Sequence, residues 1–237
     1  SINKGLEFGI EAYGKFITEL EKENREKIIY LIAGEYHPGF ISQEEGKYYK
    51  EHLAVLEDGL KKSGLNWAET SHFDDLKNIA RNKDVVFLNN FLEEENLLDL
   101  YGATDINLLP YRNPEQISSG ILADAIGSGR IAISTKFLYA VELLASNPEK
   151  AARRGIVIDH REGRGILVDF VGGKDQYGLY TPSIEQLAKG LKYLASHEKE
   201  RFQMEERAFE RGHRMNWQNV AGDFIQLVKF HENLKVH

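Results

Sequence analysis

The chain has 237 residues, a net charge of −7, 42% hydrophobic and 28% charged residues, and no cysteine. That length can bury a core without staples, and the absence of cysteine excludes disulfides, thiolate nucleophiles and cysteine metal sites. No apolar run reaches bilayer length, no signal peptide opens the chain and no basic stripe suits nucleic acid, so a cytoplasmic setting is expected and nucleic acid is not an expected partner.

Leu6, Ile10, Tyr13, Ile17 and Leu20 recur at helical spacing and predict a helix over 4–23. A continuous apolar run at 27–33 predicts a strand, and Tyr49, Leu53, Leu56 and Leu60 mark a second helix ended by Gly64. The polar stretch 66–82 carries no clear period beyond a short helix near 74–81. Strands follow at 84–88, 105–109 and 130–134, with helices at 93–101, 118–126 and 137–145 between and after them. Residues 155–159 and 165–170 are further apolar runs, the second the better sheet strand. The pairs Arg153-Arg154 and Arg161/Arg164 read as solvated loop charges. Helices at 183–196, 198–212 and 217–232 finish the chain.

Strands that do not alternate are buried on both faces, which implies a mostly parallel sheet covered by helices. The expected fold class is therefore α/β, doubly wound and Rossmann-like. Such folds open on a strand that is often central, whereas this chain opens on a helix. The expectation is a domain at 1–215 lacking its first strand, with exposed inner sheet edges, followed by a closing helix at 216–237. Ligands of such sheets sit at the carboxyl ends of strands, which directs attention to 34–40, 89–92, 110–119 and 135–137.

The run from Tyr111 to Gly129 is the most informative. Pro114 bars an earlier helix interior, and Ser118 and Ser119 favour a helix start. Gly120 removes a side chain beside backbone N–H groups that have no partner inside the helix, an arrangement suited to phosphate. The plain alternative is ordinary capping of a core helix, and the residues alone leave both open. Glu115 and Gln116 precede this turn. Asp124, about two turns further and roughly on the same side, suits sugar hydroxyls or remains a solvent-facing acid. Lys4, ahead of Gly5, can meet a diphosphate as a point charge or stand as a surface lysine. Walker, dinucleotide, zinc-ligand and nucleophile-elbow motifs are absent, as is an Asp-x-Asp metal clamp.

These segments together resemble the C-terminal, donor-binding domain of group-one retaining glycosyltransferases of GT-B architecture. The resemblance runs through the Lys4-Gly5 pair with its helix to Ala12, 31–38, 86–92, 103–120, 130–135, 142–144, 163–168 and 215–221. It implies that Lys4 reaches the donor diphosphate, that Ser118, Ser119 and Gly120 hold phosphate oxygens, and that Asn89, Asn90 and Phe91 lie near the nucleobase. Two acids eight positions apart flank the key helix in the family. Here those positions hold Gln116 and Asp124, with Glu115 one residue early, so which side chain meets the sugar stays open.

The resemblance further implies a metal-independent hexosyltransferase without a cofactor, its donor a nucleoside diphosphate sugar. Transfer would retain anomeric configuration, with Lys4, Glu115 and Gln116 as catalytic candidates. The acceptor is left unassigned and belongs to an N-terminal domain outside this chain. A peripheral membrane association through that domain is left open, and the fragment alone is expected not to turn over. The rivals are a nucleotide-sugar epimerase of the same architecture and a non-catalytic nucleotide-binding module. The segment 171–180 has no assigned role.

Overall fold

The structure is a computed structural model that describes residues 2–35 and 45–234, with side chains described over 50–230 in the second stretch. Residues 36–40 of the rim loop expected at 34–40, and 36–38 of the resemblance, lie outside the described residues.

The described strands are β1 (Tyr30–Ala33), β2 (Trp67–Thr70), β3 (Val85–Leu88), β4 (Ile106–Leu109), β5 (Ile131–Thr135), β6 (Val157–Ile158), β7 (Gly165–Val168), β8 (Phe170–Val171) and β9 (Thr181–Pro182). The helices are α1 (Leu6–Thr18), α2 (Lys22–Arg25), α3 (Glu45–Lys62), α4 (Leu76–Ile79), α5 (Glu94–Ala103), α6 (Gly120–Gly127), α7 (Leu138–Leu144), α8 (Pro148–Ala151), α9 (Ile184–Ser196), α10 (Glu198–Arg214) and α11 (Trp217–Leu234).

β1 to β7 form two mainly parallel blocks, while β8 and β9 pair separately and antiparallel. One runs β1-β3-β2, with Tyr30 opposite Val85 and Trp67 also opposite Val85. The other runs β4-β5-β7, with Ile106 opposite Ile131 and Ala132 opposite Gly165, and closes with antiparallel β6. Every residue of β5 is buried, the apolar Ile131, Ala132 and Ile133 as well as the polar Ser134 and Thr135. The expected doubly wound α/β fold is thus the fold observed.

α1 buries Ile10, Tyr13, Phe16 and Ile17 against α3, α9 and the sheet. On the other face Leu109, Tyr111, Leu122, Ile126, Phe137 and Leu143 form a second core beneath α6 and α7. A leucine- or isoleucine-sized side chain contributes about 2 kcal/mol on full burial, so these two clusters dominate cohesion. α11 differs: Trp217, Phe224, Leu227 and Phe230 are all exposed.

Several expectations are corrected. The first helix stops at Thr18, whose hydroxyl bonds back to the Gly14 carbonyl at 3.0 Å, and the charged run after it holds only the short α2. The polar stretch at 66–82 contains an unforeseen strand, β2, at the outer edge of its block. The strand expected over 165–170 breaks at Asp169. Its N–H donates to Gln186 Oε1 at 2.8 Å and its carbonyl accepts from the Ser183 amide at 2.9 Å. Arg153, Arg154 and Arg161 are exposed as expected, but Arg164 is half-buried and donates from Nε to the Leu143 carbonyl at 2.6 Å, closing the end of α7.

Candidate functional site

β4 ends at Leu109, and Pro110, which has no N–H to extend the ladder, turns the chain over the carboxyl edge. Tyr111 comes next and is buried. Its carbonyl accepts from Thr135 Oγ1 at 2.7 Å, and its ring stacks on Phe137 with centroids 5.2 Å apart. Tyr111 therefore has a fixed position, and two candidate residues meet it. Lys4 Nζ lies 3.9 Å from its ring centroid, and its hydroxyl is 3.5 Å from Ser119 Oγ.

Lys4 is delivered by a 3-10 turn at Ile2–Lys4, which is tied to the same loop: the Arg112 amide donates to the Asn3 carbonyl at 3.0 Å. Gly5 follows with φ +64°, and a Cβ there would lie 2.1 Å from the Pro110 carbonyl oxygen. Both the left-handed backbone and the close approach require glycine, which gives the Lys4-Gly5 pair a physical reason. Among the described residues no carboxylate lies within ion-pair distance of Lys4. A cation over an aromatic face keeps its charge available to an incoming anion.

Ser119 is the N-cap of α6, its Oγ accepting from the Leu122 amide at 3.3 Å. That hydroxyl is thus already used for capping. The N–H groups of Ser118, Ser119, Gly120 and Ile121 donate to no acceptor among the described residues. Ser118 and Gly120 are exposed, and the space beside Gly120 is open: an added Cβ would meet nothing within 4 Å. A helix start with free amides and an open front accepts anions.

The preceding loop is held by its own side chains. Asn113 Oδ1 accepts from the Glu115 amide at 3.0 Å, and the amides of Leu138 and Tyr139 donate to the carbonyls of Pro114 and Gln116. Gln116 donates from Nε2 to the Ser118 carbonyl at 2.8 Å and accepts from Asn3 Nδ2 at 3.4 Å, so it links the Lys4 turn to the helix start. Glu115 is exposed with a free side chain. Asp124 lies one turn along α6 from Gly120; partial shielding, with Glu94 nearby, holds its carboxyl above the usual carboxylate value.

A cleft of about 950 Å³ opens between the two strand blocks, and its upper rim includes Lys4, Gly34, Asn89, Tyr111 and Ile121. Asn89 donates to Glu69 Oε1 at 3.2 Å, while Asn90 and Phe91 are exposed beside it and do not line the cleft. Among the described residues no three His, Asp or Glu side chains converge as metal ligands, and no helix is long and apolar enough to cross a membrane.

Sequence reasoning missed Tyr111 and Arg112. Arg112 is buried, paired with Glu7 at 3.5 Å and with Asp175, and donates from Nε to the Tyr180 carbonyl at 3.1 Å. The Tyr180 amide returns a bond to the Arg112 carbonyl at 3.0 Å. The unassigned segment 171–180 thus anchors the loop after β4. The available signal was a large aromatic and an arginine directly after a strand-stopping proline.

Fold and rim define a doubly wound α/β domain with a free helix start and an unneutralised lysine at its carboxyl edge. Solved structures similar to this chain include glycosyltransferases of GT-B architecture. WaaG, a glycosyltransferase involved in lipopolysaccharide biosynthesis, matches with a TM-score of 0.52 and 18% identity over 90% of this chain and 40% of its own. The C-terminal domain of LpcC, a group 1 glycosyl transferase family protein from Francisella tularensis, matches at 0.56 and 18% over 91% of this chain and 80% of that domain. HepE from Anabaena in complex with UDP matches at 0.61 and 14%, over 97% and 46%. The chain therefore spans less than half of WaaG and of HepE, and the likeness is one of fold. No family model and no curated protein matches the sequence.

Proposed function

We propose that this chain is the donor-binding half of a retaining glycosyltransferase and binds a nucleoside diphosphate sugar across its carboxyl rim. The observation that carries this reading is that Tyr111 joins the free amides at 118–121 to Lys4: its hydroxyl lies 3.5 Å from Ser119 Oγ and Lys4 Nζ lies over its ring. A diphosphate bridging them would meet N–H donors on one side and a cation on the other. Cleavage of the sugar–phosphate bond moves negative charge onto the diphosphate, and fixed donors aimed at that charge lower the barrier. Lys4 fills the role a divalent cation plays elsewhere, which makes the transfer metal-independent.

Glu115 is the better candidate to face the sugar, because Gln116 is engaged by Asn3 and the Ser118 carbonyl. Asp124 would meet ribose or sugar hydroxyls, and Asn89, Asn90 and Phe91 the nucleobase. The acceptor and the second half of the cleft belong to a domain outside this chain, and the setting is cytoplasmic. UDP is the first probe, since HepE shares the fold and was captured with UDP.

Isothermal calorimetry of the 237-residue chain with UDP and UDP-sugars tests the binding step. Saturable binding that disappears in Lys4→Met supports the reading. No binding by either the chain or the full-length protein, to any nucleoside diphosphate, removes it. Product analysis with the full-length protein separates a glycoside from the free epimer that an epimerase would release.

A further inference from the structure

The hairpin of β8 and β9 stands apart from both cores. Its strands have two residues each, with Phe170 opposite Pro182, and none of residues 171–180 is buried. A segment that buries no side chain adds little to hydrophobic cohesion. Among the described residues, the hydrogen bonds and ion pairs that leave the loop 172–180 all go to Arg112. Arg112 donates to Asp175 and, from Nε, to the Tyr180 carbonyl at 3.1 Å, and its own carbonyl accepts from the Tyr180 amide at 3.0 Å.

Arg112 in turn packs against the turn that carries Lys4. Its amide donates to the Asn3 carbonyl at 3.0 Å, and its Cγ lies where a Cβ on Gly5 would approach to 3.2 Å. Its guanidinium lies 5.1 Å from the Phe8 ring centroid and 3.5 Å from Glu7 Oε1. A buried cation needs a countercharge. Desolvation holds the Glu7 carboxyl above the usual carboxylate range, and its Oε2 is buried without a hydrogen-bond partner among the described residues. At Asp175 desolvation is outweighed by the Leu179 amide, Arg112 and the Tyr177 amide, which hold its carboxyl below that range. Asp175 divides its two oxygens: Oδ1 accepts from the amides of Tyr177 at 2.8 Å and Leu179 at 3.0 Å, and Oδ2 faces Arg112. The hairpin thus shapes itself around one carboxylate and presents it to the arginine under the Lys4 turn.

We infer that Asp175 is a positioning residue of the donor site: acting through Arg112, it fixes the turn at Asn3–Gly5 and so holds Lys4 over Tyr111. The inference rests on the proposed role of Lys4 toward the donor diphosphate. Without the Asp175 charge, Arg112 is drawn toward Glu7 and water, its contacts with Gly5 and Phe8 shift, and Lys4 leaves the ring that places it. Because the hairpin adds no buried residue to either core, the loss falls on the rim rather than on the fold.

The test reads the Lys4 side chain itself. Reductive methylation with isotope-labelled methyl groups keeps the lysine charges, and the Lys4 resonance is identified by its loss in Lys4→Met. The Tyr111 ring, 3.9 Å from Nζ, displaces that resonance from those of exposed lysines. Calorimetry with UDP on unmodified protein follows affinity. Asp175→Asn keeps an oxygen for the Tyr177 and Leu179 amides and removes the charge facing Arg112. Asp175→Ser is a second uncharged variant whose hydroxyl still suits a turn. Both should bring the Lys4 resonance to the exposed-lysine position and weaken UDP binding about tenfold. Gly64→Ala strains a left-handed turn that precedes β2, far from Arg112 in the sheet order, and should change neither. A Lys4 resonance or a UDP affinity unchanged in both Asp175 variants overturns the inference and leaves the donor site standing. A change that Gly64→Ala reproduces overturns it as well, because general destabilisation then accounts for the effect. Failure of the parent protein to bind any nucleoside diphosphate overturns the donor site, and this inference with it.

Discussion

Gly5 and Gly64 offer a matched pair that isolates the contact placing Lys4. Both have left-handed backbones, φ +64° and +62°. An added Cβ at Gly64 would meet nothing within 4 Å, whereas at Gly5 it would lie 2.1 Å from the Pro110 carbonyl oxygen and 3.2 Å from Arg112 Cγ. Alanine in this backbone region costs about 1 kcal/mol. Forcing a methyl group into a filled contact adds about 2 kcal/mol. Gly64→Ala should therefore lose about 1 kcal/mol and Gly5→Ala about 3 kcal/mol. For a domain of this size each kcal/mol lowers Tm by about 3 °C, so the two variants should melt about 3 and about 9 °C below the parent in scanning calorimetry. Gly5→Ala should also weaken UDP binding, because the methyl group pushes the Lys4 turn away from Tyr111, while Gly64→Ala should not. If the two melting temperatures agree to within about 2 °C, the close approach of Gly5 to Pro110 does not exist in solution, and the placement of Lys4 loses its basis.

The remaining predictions concern charge and the rim. Gly120→Ala places a methyl group in the open space before α6, where its Cβ meets nothing within 4 Å; it should leave Tm nearly unchanged and weaken UDP binding about tenfold, the equivalent of one lost charge-assisted hydrogen bond. Arg112→Met strands Glu7 and Asp175 and should cost about 3 kcal/mol in urea unfolding, with faster proteolysis at 172–180. Burial lowers the pKa of His52 to about 4, and its Nε2 has no hydrogen-bond partner among the described residues. The unfolded chain binds the extra proton between about pH 6.5 and 4, so stability should fall as pH drops through that window, and His52→Gln should flatten the slope. At Asp159 burial opposes ionisation, but the Ser146 hydroxyl, Lys150 and the Arg161 amide outweigh it and hold the carboxyl at about 2. Its stabilisation is complete above the unfolded value and should be lost as pH falls from about 4 to 2, a loss absent in Asp159→Asn.

What the sequence revealed follows from how local its signals are. The buried strands β3 and β5 read directly as short apolar runs because both of their faces are covered. β2 did not, since Trp-Ala-Glu-Thr lies at an edge where only part of the strand needs apolar cover. The break at Asp169 was invisible because its cause, the side chain of Gln186, sits 17 residues away. The helix start at Ser118–Gly120 was legible from capping chemistry and proline placement. Its relation to Lys4 was not, because it runs through Tyr111, which in sequence is merely an aromatic after a proline. Likewise Arg112 needed partners at Glu7, Asp175 and Tyr180, which no local period brings together.

Among the described residues of the rim, Lys4 differs from Arg112 and Lys136 in having no carboxylate partner. Arg112 is held by Glu7 and Asp175, and Lys136 by Asp169 at 2.6 Å and by the Gly155 carbonyl at 3.0 Å. These cations are neutralised inside the fold and add little field outside it. Lys4 rests on an aromatic face that attracts it weakly and offers no countercharge. In a protein with a net charge of −7, general electrostatics repels an anion. Under the proposed function, a nucleoside diphosphate would have to be captured by a local concentration of donors. The amides at 118–121 and the Lys4 ammonium, joined through one fixed tyrosine, would supply it, since neither is satisfied among the described residues.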